Sequence, residues 1–305
     1  MVHRRGVNIV SFIKNRKIFF TISLSIIAFG LIMMFVNGLN YGIDFTGGTL
    51  LQIRIGKKIN VDEIRNITDK YDKEASIVHA GENKEEIIIK SNVDFSNKER
   101  TEIFNIFKEK YNLKDTDLVQ SQKFGPSMGK EIKNKALLSA VIAVVAMLAY
   151  ISWRFEFKFA VAAILALVHD VLITLSVYAI FKIPVNSSFI AAILTILGYS
   201  INDTIVIFDR IRENIRFRKK ESYEEIVDNS IKQSLARSIN TSLTTLMAIV
   251  TLYIFGVEDV KVLAFPLIIG IISGTYSSIF IASPLWYMFI SKGKDKNPSY
   301  KPKRA

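Results

Sequence analysis

At 305 residues the chain could form two soluble domains, but half its residues are hydrophobic and they gather in long uncharged runs, which excludes an ordinary soluble enzyme. A net charge of +12 would suit nucleic acid, yet the cations sit between those runs, where membrane topology accounts for them, so no nucleic-acid partner is expected. The absence of cysteine excludes disulfides and cysteine-ligated metal.

Residues 1–17 form a basic N-terminal segment with Arg4, Arg5, Lys14, Arg16 and Lys17. The uncharged run 18–43 exceeds the roughly 20 apolar residues that a membrane helix needs. It is too long for the apolar core of a signal peptide and no small-residue cleavage site follows it, so it is expected to remain as the first span.

Residues 44–135 change character and predict a small α+β domain outside the membrane. Asp44, Gly47 and Gly48 make a turn leaving the first span. A phosphate loop would need a preceding strand and a Gly-Lys-Ser/Thr ending, and neither is there, so the glycines read as backbone punctuation. Residues 49–55 predict a strand, 61–71 a short helix capped by Asn60, and 76–80 with 87–90 two strands around the polar turn 81–84. Residues 96–111 predict a second helix with Ile103, Phe104, Ile106 and Phe107 inward, and 118–123 a last strand. The order β-α-β-β-α-β is that of the split, ferredoxin-like motif.

Over 136–290 five further apolar runs follow: 136–153, 159–181, 183–202, 238–257 and 262–290, the second broken only by His169 and Asp170. With the first run they predict an α-helical membrane protein of six transmembrane helices, with the ferredoxin-like domain between helices 1 and 2. Gly125-Pro126-Ser127 ends the last strand and starts the helix into the second span. Gly270 and Gly274 predict a close helix crossing in the sixth. Between the fourth and fifth runs, 210–237 reads as a cytoplasmic amphipathic loop: a basic helix over 210–220 that continues the fourth span, then a helix from the capping box Ser222/Glu225. The face of Ile226, Val227, Ser230, Ile231, Ser234 and Leu235 suits the membrane surface. Cations crowd 1–17, 210–220 and the tail 291–305, whereas 182–186 and 258–261 carry one each. The positive-inside rule then puts both termini in the cytoplasm.

A charged side chain at mid-membrane costs at least about 2.5–3.5 kcal/mol, so such residues face a bundle interior and serve a purpose. Asp203 lies about 24 Å into a fourth span that starts near Ser187, at 1.5 Å per residue. Arg237, on the antiparallel fifth span ending near Phe255, reaches about 27–28 Å by the same measure. The two can meet as a buried pair. An aspartate facing arginine stays ionised, and loss of that partner at low dielectric favours the protonated acid, so the pair can take up and release a proton as helices move. The competing reading has Arg237 snorkel at the interface while Asp203 caps the end of the span. His169 and Asp170, with Asn202 beside Asp203, are secondary intramembrane polar positions. Adjacent residues point apart on a helix, so His169 and Asp170 are not expected to share one ligand; polar glue and a proton wire are both open. No metal, cofactor or enzymatic nucleophile–base pair is expected.

YGIDFTGGT after the first span, FGPSMG before the second and GYSINDTIVIFDRIREN in the fourth resemble the SecD/SecF family of bacterial protein-export membrane subunits, on its SecF side. The likeness runs from the first span to the sixth. SecD members share the DFTGG element but carry much larger outer domains. The resemblance implies a subunit of the resistance-nodulation-division superfamily that pairs with SecD and works with the SecYEG channel downstream of SecA. It implies use of the proton motive force, or sodium ions in some members, to pull or release unfolded preprotein across the bacterial cytoplasmic membrane. It further implies that Asp203 and Arg237 are the family's essential intramembrane aspartate and arginine. One span, one outer domain and five more spans also make half of a parallel-repeat transporter, whose sites lie between halves, so a lone half needs a second. Two alternatives stay open: half of a small-molecule or lipid exporter of the same superfamily, and a non-transporting scaffold.

Overall fold

The computed structural model describes residues 11–81, 83–217 and 221–291. Arg4 and Arg5, the end of the basic 210–220 segment and the tail from 292 lie outside the described residues.

Helix α1 (Arg16–Asn37) is the first span. It stops short of residue 43 because Gly38 takes φ 70°, a left-handed conformation that glycine adopts without strain. The chain then runs extended, and its backbone is paired: Gly42 N–H donates to the Val185 carbonyl and Val185 N–H to the Asn40 carbonyl, both at 2.7 Å. A short helix α2 (Ile43–Thr46) leads into the outer domain. Its Asp44 carboxylate accepts the Ser187 N–H at 2.8 Å and so caps the start of the fourth span.

The outer domain contains β1 (Gly48–Arg54), α3 (Val61–Thr68), β2 (Ser76–Ala80), β3 (Glu86–Ser91), α4 (Asn97–Tyr111) and β4 (Leu118–Phe124). The sheet is antiparallel throughout, ordered β2-β3-β1-β4, which is the ferredoxin-like arrangement. Alternation puts Leu51, Ile53, Ile87 and Ile89 on one face, against Ile64, Ile103 and Phe107 of the two helices. Asn60 caps α3, and Ser96 with Glu99 closes a capping box on α4. Gly48, at φ 139°, passes so close to β3 that a Cβ would lie 2.1 Å from the Ser91 carbonyl. At Gly129 a Cβ would lie 2.3 Å from the Phe45 carbonyl, so the DFTGG and GPSMG segments pack on one another.

Five more spans follow: α5 (Pro126–Arg154), α6 (Phe157–Phe181), α7 (Ser187–Phe217), α8 (Tyr223–Phe255), and a sixth made of α9 (Glu258–Ser277), a π-helical turn (Ser278–Ala282) and α10 (Ser283–Ser291). All six stretches are long and apolar enough to cross a membrane, and the chain is a multi-pass membrane protein. α5 begins ten residues before the apolar run at 136, with Pro126 at its first position. α6, α7 and α9 form the centre of the bundle, while few residues in the apolar stretches of α5 and α8 are fully buried. α9 approaches α7 closely because Gly270 and Gly274 have no side chain; a Cβ would lie 2.2 Å from Ile196 and 2.9 Å from Ser200.

The 210–237 segment is not an amphipathic loop on the membrane surface. α7 and α8 continue past their apolar runs as a helical hairpin. Ile226, Val227 and Ile231 are buried against Ile211, Ile215 and Trp286 rather than facing lipid. Asn214 Nδ2 donates to Ser230 Oγ at 2.8 Å within that contact. The reason is the length of α7: its extension supplies the apolar surface that the sequence assigns to the membrane. The capping box Ser222/Glu225 starts α8 where the sequence places it. At the same end Asp228 holds the chain before α1, accepting the Ile13 N–H at 3.0 Å.

Candidate functional site within the membrane

Asp203 points from α7 towards α8 and α9 and is 8% exposed. Its carboxylate lies near the Ser238 and Ser278 hydroxyls and within reach of the Arg237 charge. Even so, Asp203 Oδ2 and Ser238 Oγ are both buried without a hydrogen-bond partner. Asp203 and Arg237 line one small cavity of about 60 Å³, with Tyr199, Asn202, Val206 and Thr241. That is room enough for water. The helix positions that the sequence derives therefore bring acid and base to one place, with two differences. Arg237 is exposed on the bundle surface rather than buried, and among the described residues no ion pair joins it to Asp203. Tyr199 fixes the cavity wall, its hydroxyl bonded to the Thr241 carbonyl at 3.0 Å and to Thr245 Oγ1 at 3.1 Å. Asn202 faces outward beside the cavity.

Asp170 is fully buried on α6 and joins three spans. Its Oδ2 accepts Ser200 Oγ–H of α7 at 2.6 Å and Ser277 Oγ–H of α9 at 2.8 Å; its Oδ1 accepts Ser273 Oγ–H of α9 at 2.7 Å. His169 Nδ1 lies 3.0 Å from Oδ1. The expectation that His169 and Asp170 point apart is thus corrected. Consecutive Cβ atoms diverge on a helix, but the imidazole is long enough to fold back onto its neighbour's carboxylate. The far side of the ring faces Tyr276, and His169 Nε2 is buried without a partner.

The serines that hold Asp170, and Ser238, Ser278 and Thr204 around Asp203, were not singled out by sequence reasoning. A signal was present: Ser200 and Thr204, and Ser273 and Ser277, repeat four residues apart in apolar spans, which places each pair on one helix face. Asp44, Gly47 and Gly48 stay a structural turn and approach neither carboxylate.

Residues 105–292 match the family described as protein export membrane protein SecD/SecF, C-terminal, and residues 32–59 match the SecD/SecF GG motif. A protein translocase subunit SecF of Desulfurispirillum indicum is 38% identical over 283 residues, covering 90% of each chain. One from Petrotoga mobilis is 36% identical over 294 residues, covering 93% of this chain and 97% of its own. Among solved structures, Thermus thermophilus SecDF, described as a translocon-associated membrane protein, superimposes with a TM-score of 0.82 at 33% identity. That match covers 95% of this chain and 40% of the SecDF chain. With more than half of its length inside the family's C-terminal region, and SecF relatives matched almost end to end, the chain belongs to the SecD/SecF protein-export membrane family as a SecF-type subunit of the Sec translocase.

Proposed function

We propose that this subunit couples proton movement to protein export through Asp203 and Arg237, in a complex with a SecD-type half. The observation that carries the reading is the Asp203 carboxylate oxygen, buried without a partner beside a cavity that Arg237 also lines. An unsatisfied carboxylate near, but not bonded to, a guanidinium can exchange its proton through cavity water at little structural cost. Arg237 would hold the acid ionised in one arrangement of the helices and release it to protonation in another.

Two features favour a second half. Gly198, Asn202, Asn240, Thr241 and Thr244 form, with Arg237, a small and polar surface on the exposed faces of α7 and α8. Lipid is a poor neighbour for such a face, whereas a second helix bundle is a good one. The Thermus SecDF chain, of which this chain covers 40%, is long enough to hold such a half.

In this reading the chain lies in the bacterial cytoplasmic membrane with both termini cytoplasmic, because the basic segments sit on one side. The outer domain then meets unfolded preprotein leaving a SecYEG channel that SecA has fed. The chain works as a transport subunit and not as an enzyme, and needs no cofactor beyond the coupling ion. One charge crossing the membrane yields about 2.3 kcal/mol per 100 mV, whereas swinging a two-state equilibrium from 1:99 to 99:1 takes about 5.5 kcal/mol. One proton therefore biases a movement of the outer domains without completing it, so a full stroke uses more than one.

The test is export into proteoliposomes holding the SecD complex and the channel, with an imposed proton gradient. Asp203→Asn should abolish the gradient-dependent fraction while copurification with SecD survives; an active Asn variant would end the proposal. A response to a sodium gradient instead would change the ion and keep the site.

A further inference from the structure

We propose that residues 39–49, the connector between the first span and the outer domain, act as a rigid strut that hands a movement of α7 to that domain, with Asp44 as its positioning residue. The inference rests on the ion-coupling reading of Asp203 and extends it from the membrane to the outer side.

One end of the connector is fixed where α6 turns into α7. Leu39 and Phe45 pack against the apolar cluster of Tyr178, Val185 and Phe189. Between them, Gly42 N–H and the Asn40 carbonyl pair with the Val185 backbone, and Asn40 Nδ2 donates to the Lys182 carbonyl at 3.0 Å. The Asp44 carboxylate accepts the Ser187 N–H at 2.8 Å. Four hydrogen bonds and two apolar side chains thus bind this end to the start of α7. Gly38, at φ 70°, breaks the helix between the connector and α1. The other end is fixed to the outer domain. Thr46 Oγ1 lies 3.1 Å from Asn92 Oδ1. The buried Thr49 hydroxyl donates to the Val93 carbonyl and accepts the Phe95 N–H, both at 3.0 Å. Gly48 lies too close to the Ser91 carbonyl for any side chain. These contacts all fall at the end of β3 and on the chain leading to α4, so the connector turns only with the sheet.

Asp44 is not needed merely to cap α7. Asn186 already does so, its Oδ1 accepting the Phe189 N–H at 3.0 Å. The Asp44 bond reaches across 143 residues instead, from the connector to the helix. From that bond α7 runs as one helix to Asp203, about 24 Å further on at 1.5 Å per residue. A helix moves as a rigid element, so a shift at Asp203 arrives at Ser187. There Asp44 and the paired backbone of Gly42 pass it to the connector, and Gly48 and Thr49 pass it into β1. α5 is held to the same strut: its Gly129 packs on Phe45, and Lys133 Nζ lies 5.2 Å above the Tyr41 ring.

The test uses the complex with SecD and the channel in proteoliposomes, with gradient-driven export and proton flux read side by side. Asp44→Ala should lower export roughly tenfold, while proton flux and copurification with SecD stay at the parent level. Asn186→Ala removes the other bond at the same helix end and should leave export at the parent level. The chain has no cysteine, so a disulfide can be placed with Tyr41→Cys and Val185→Cys, positions that face each other as a parallel β-bridge. Oxidation should leave export unchanged relative to the reduced protein, because a strut does not slide on the turn that holds it. Export stopped by oxidation, full export by Asp44→Ala, loss of proton flux together with export in Asp44→Ala, or an equal loss of export in Asn186→Ala would each overturn the inference. The disulfide measurement stands even where Asp44→Ala fails to assemble. If Asp203→Asn keeps both flux and export, the ion-coupling reading itself fails; if it loses both while Asp44→Ala keeps both, only the strut is lost.

Discussion

Asp170 and Asp203 lie in the same bundle and are both buried, yet their surroundings differ in kind. Asp170 is saturated by three hydroxyls and an imidazole that tie α6 to α7 and α9. Asp203 keeps a bare oxygen beside a cavity and shares that cavity with an arginine it does not touch. Burial alone therefore says little about what an intramembrane carboxylate does. The number of partners it has already satisfied separates a group that holds helices from one that stays open to an ion.

The contrast can be broken or sharpened by substitution. Gly274→Val should have the largest effect on stability, since one added carbon already lies 2.9 Å from Ser200 Cβ; overpacking of this kind costs about 1–3 kcal/mol. It would push α9 off α7 and loosen the Asp170 clamp, read as a lower midpoint in detergent unfolding. Gly198, in contrast, has open space around it, so Gly198→Val should leave the midpoint unchanged and weaken copurification with SecD.

Asp170→Ala leaves three hydroxyl donors without their acceptor. At about 0.6 kcal/mol for each interhelical hydrogen bond in a membrane, the bundle should lose about 2 kcal/mol. Asp203→Ala, which breaks no hydrogen bond of good geometry, should stay within about 0.5 kcal/mol of the parent. Equal losses for the two would mean that Asp170 and Asp203 hold the bundle alike.

The outer domain supplies a control away from the bundle. Ser96→Ala removes the cap of α4 and should cost about 1 kcal/mol, seen in hydrogen exchange of that domain with the spans unaffected. The smallest effect concerns acidity. Hydrogen bonds from Ser96, side chain and backbone, hold the Glu99 carboxylate below the usual range. Because its folded value lies below its unfolded one, this contribution is present above about pH 4.3 and fades as pH falls through the lowered value. Glu99→Gln should flatten the fall of domain stability below about pH 4.

Much of this architecture is legible in the sequence. The period-2 pattern of residues 49–55 and the apolar positions 103, 104 and 107 yield β1 and α4 to within a residue or two, because local side chains decide which face is buried. Other features are not local. Gly38 ends α1 six residues before the apolar run does, a matter of one backbone angle. The face of α8 from Ile226 to Ser234 is apolar in the same way whether lipid or protein covers it, and only the extension of α7 makes the cover protein.

The sequence by itself determined the six spans, the ferredoxin-like domain and the placing of Asp203 and Arg237 at similar depth, since hydropathy, periodicity and helix rise are properties of one segment at a time. Only the tertiary structure decided that serine hydroxyls fill the acceptor sites of Asp170 while one carboxylate oxygen of Asp203 stays without a partner. Those hydroxyls come from helices 30 and more than 100 residues away, and whether they meet a carboxylate depends on how closely Gly270 and Gly274 let α9 approach α7. Such a crossing is set by contacts between segments, which no run of neighbouring residues records.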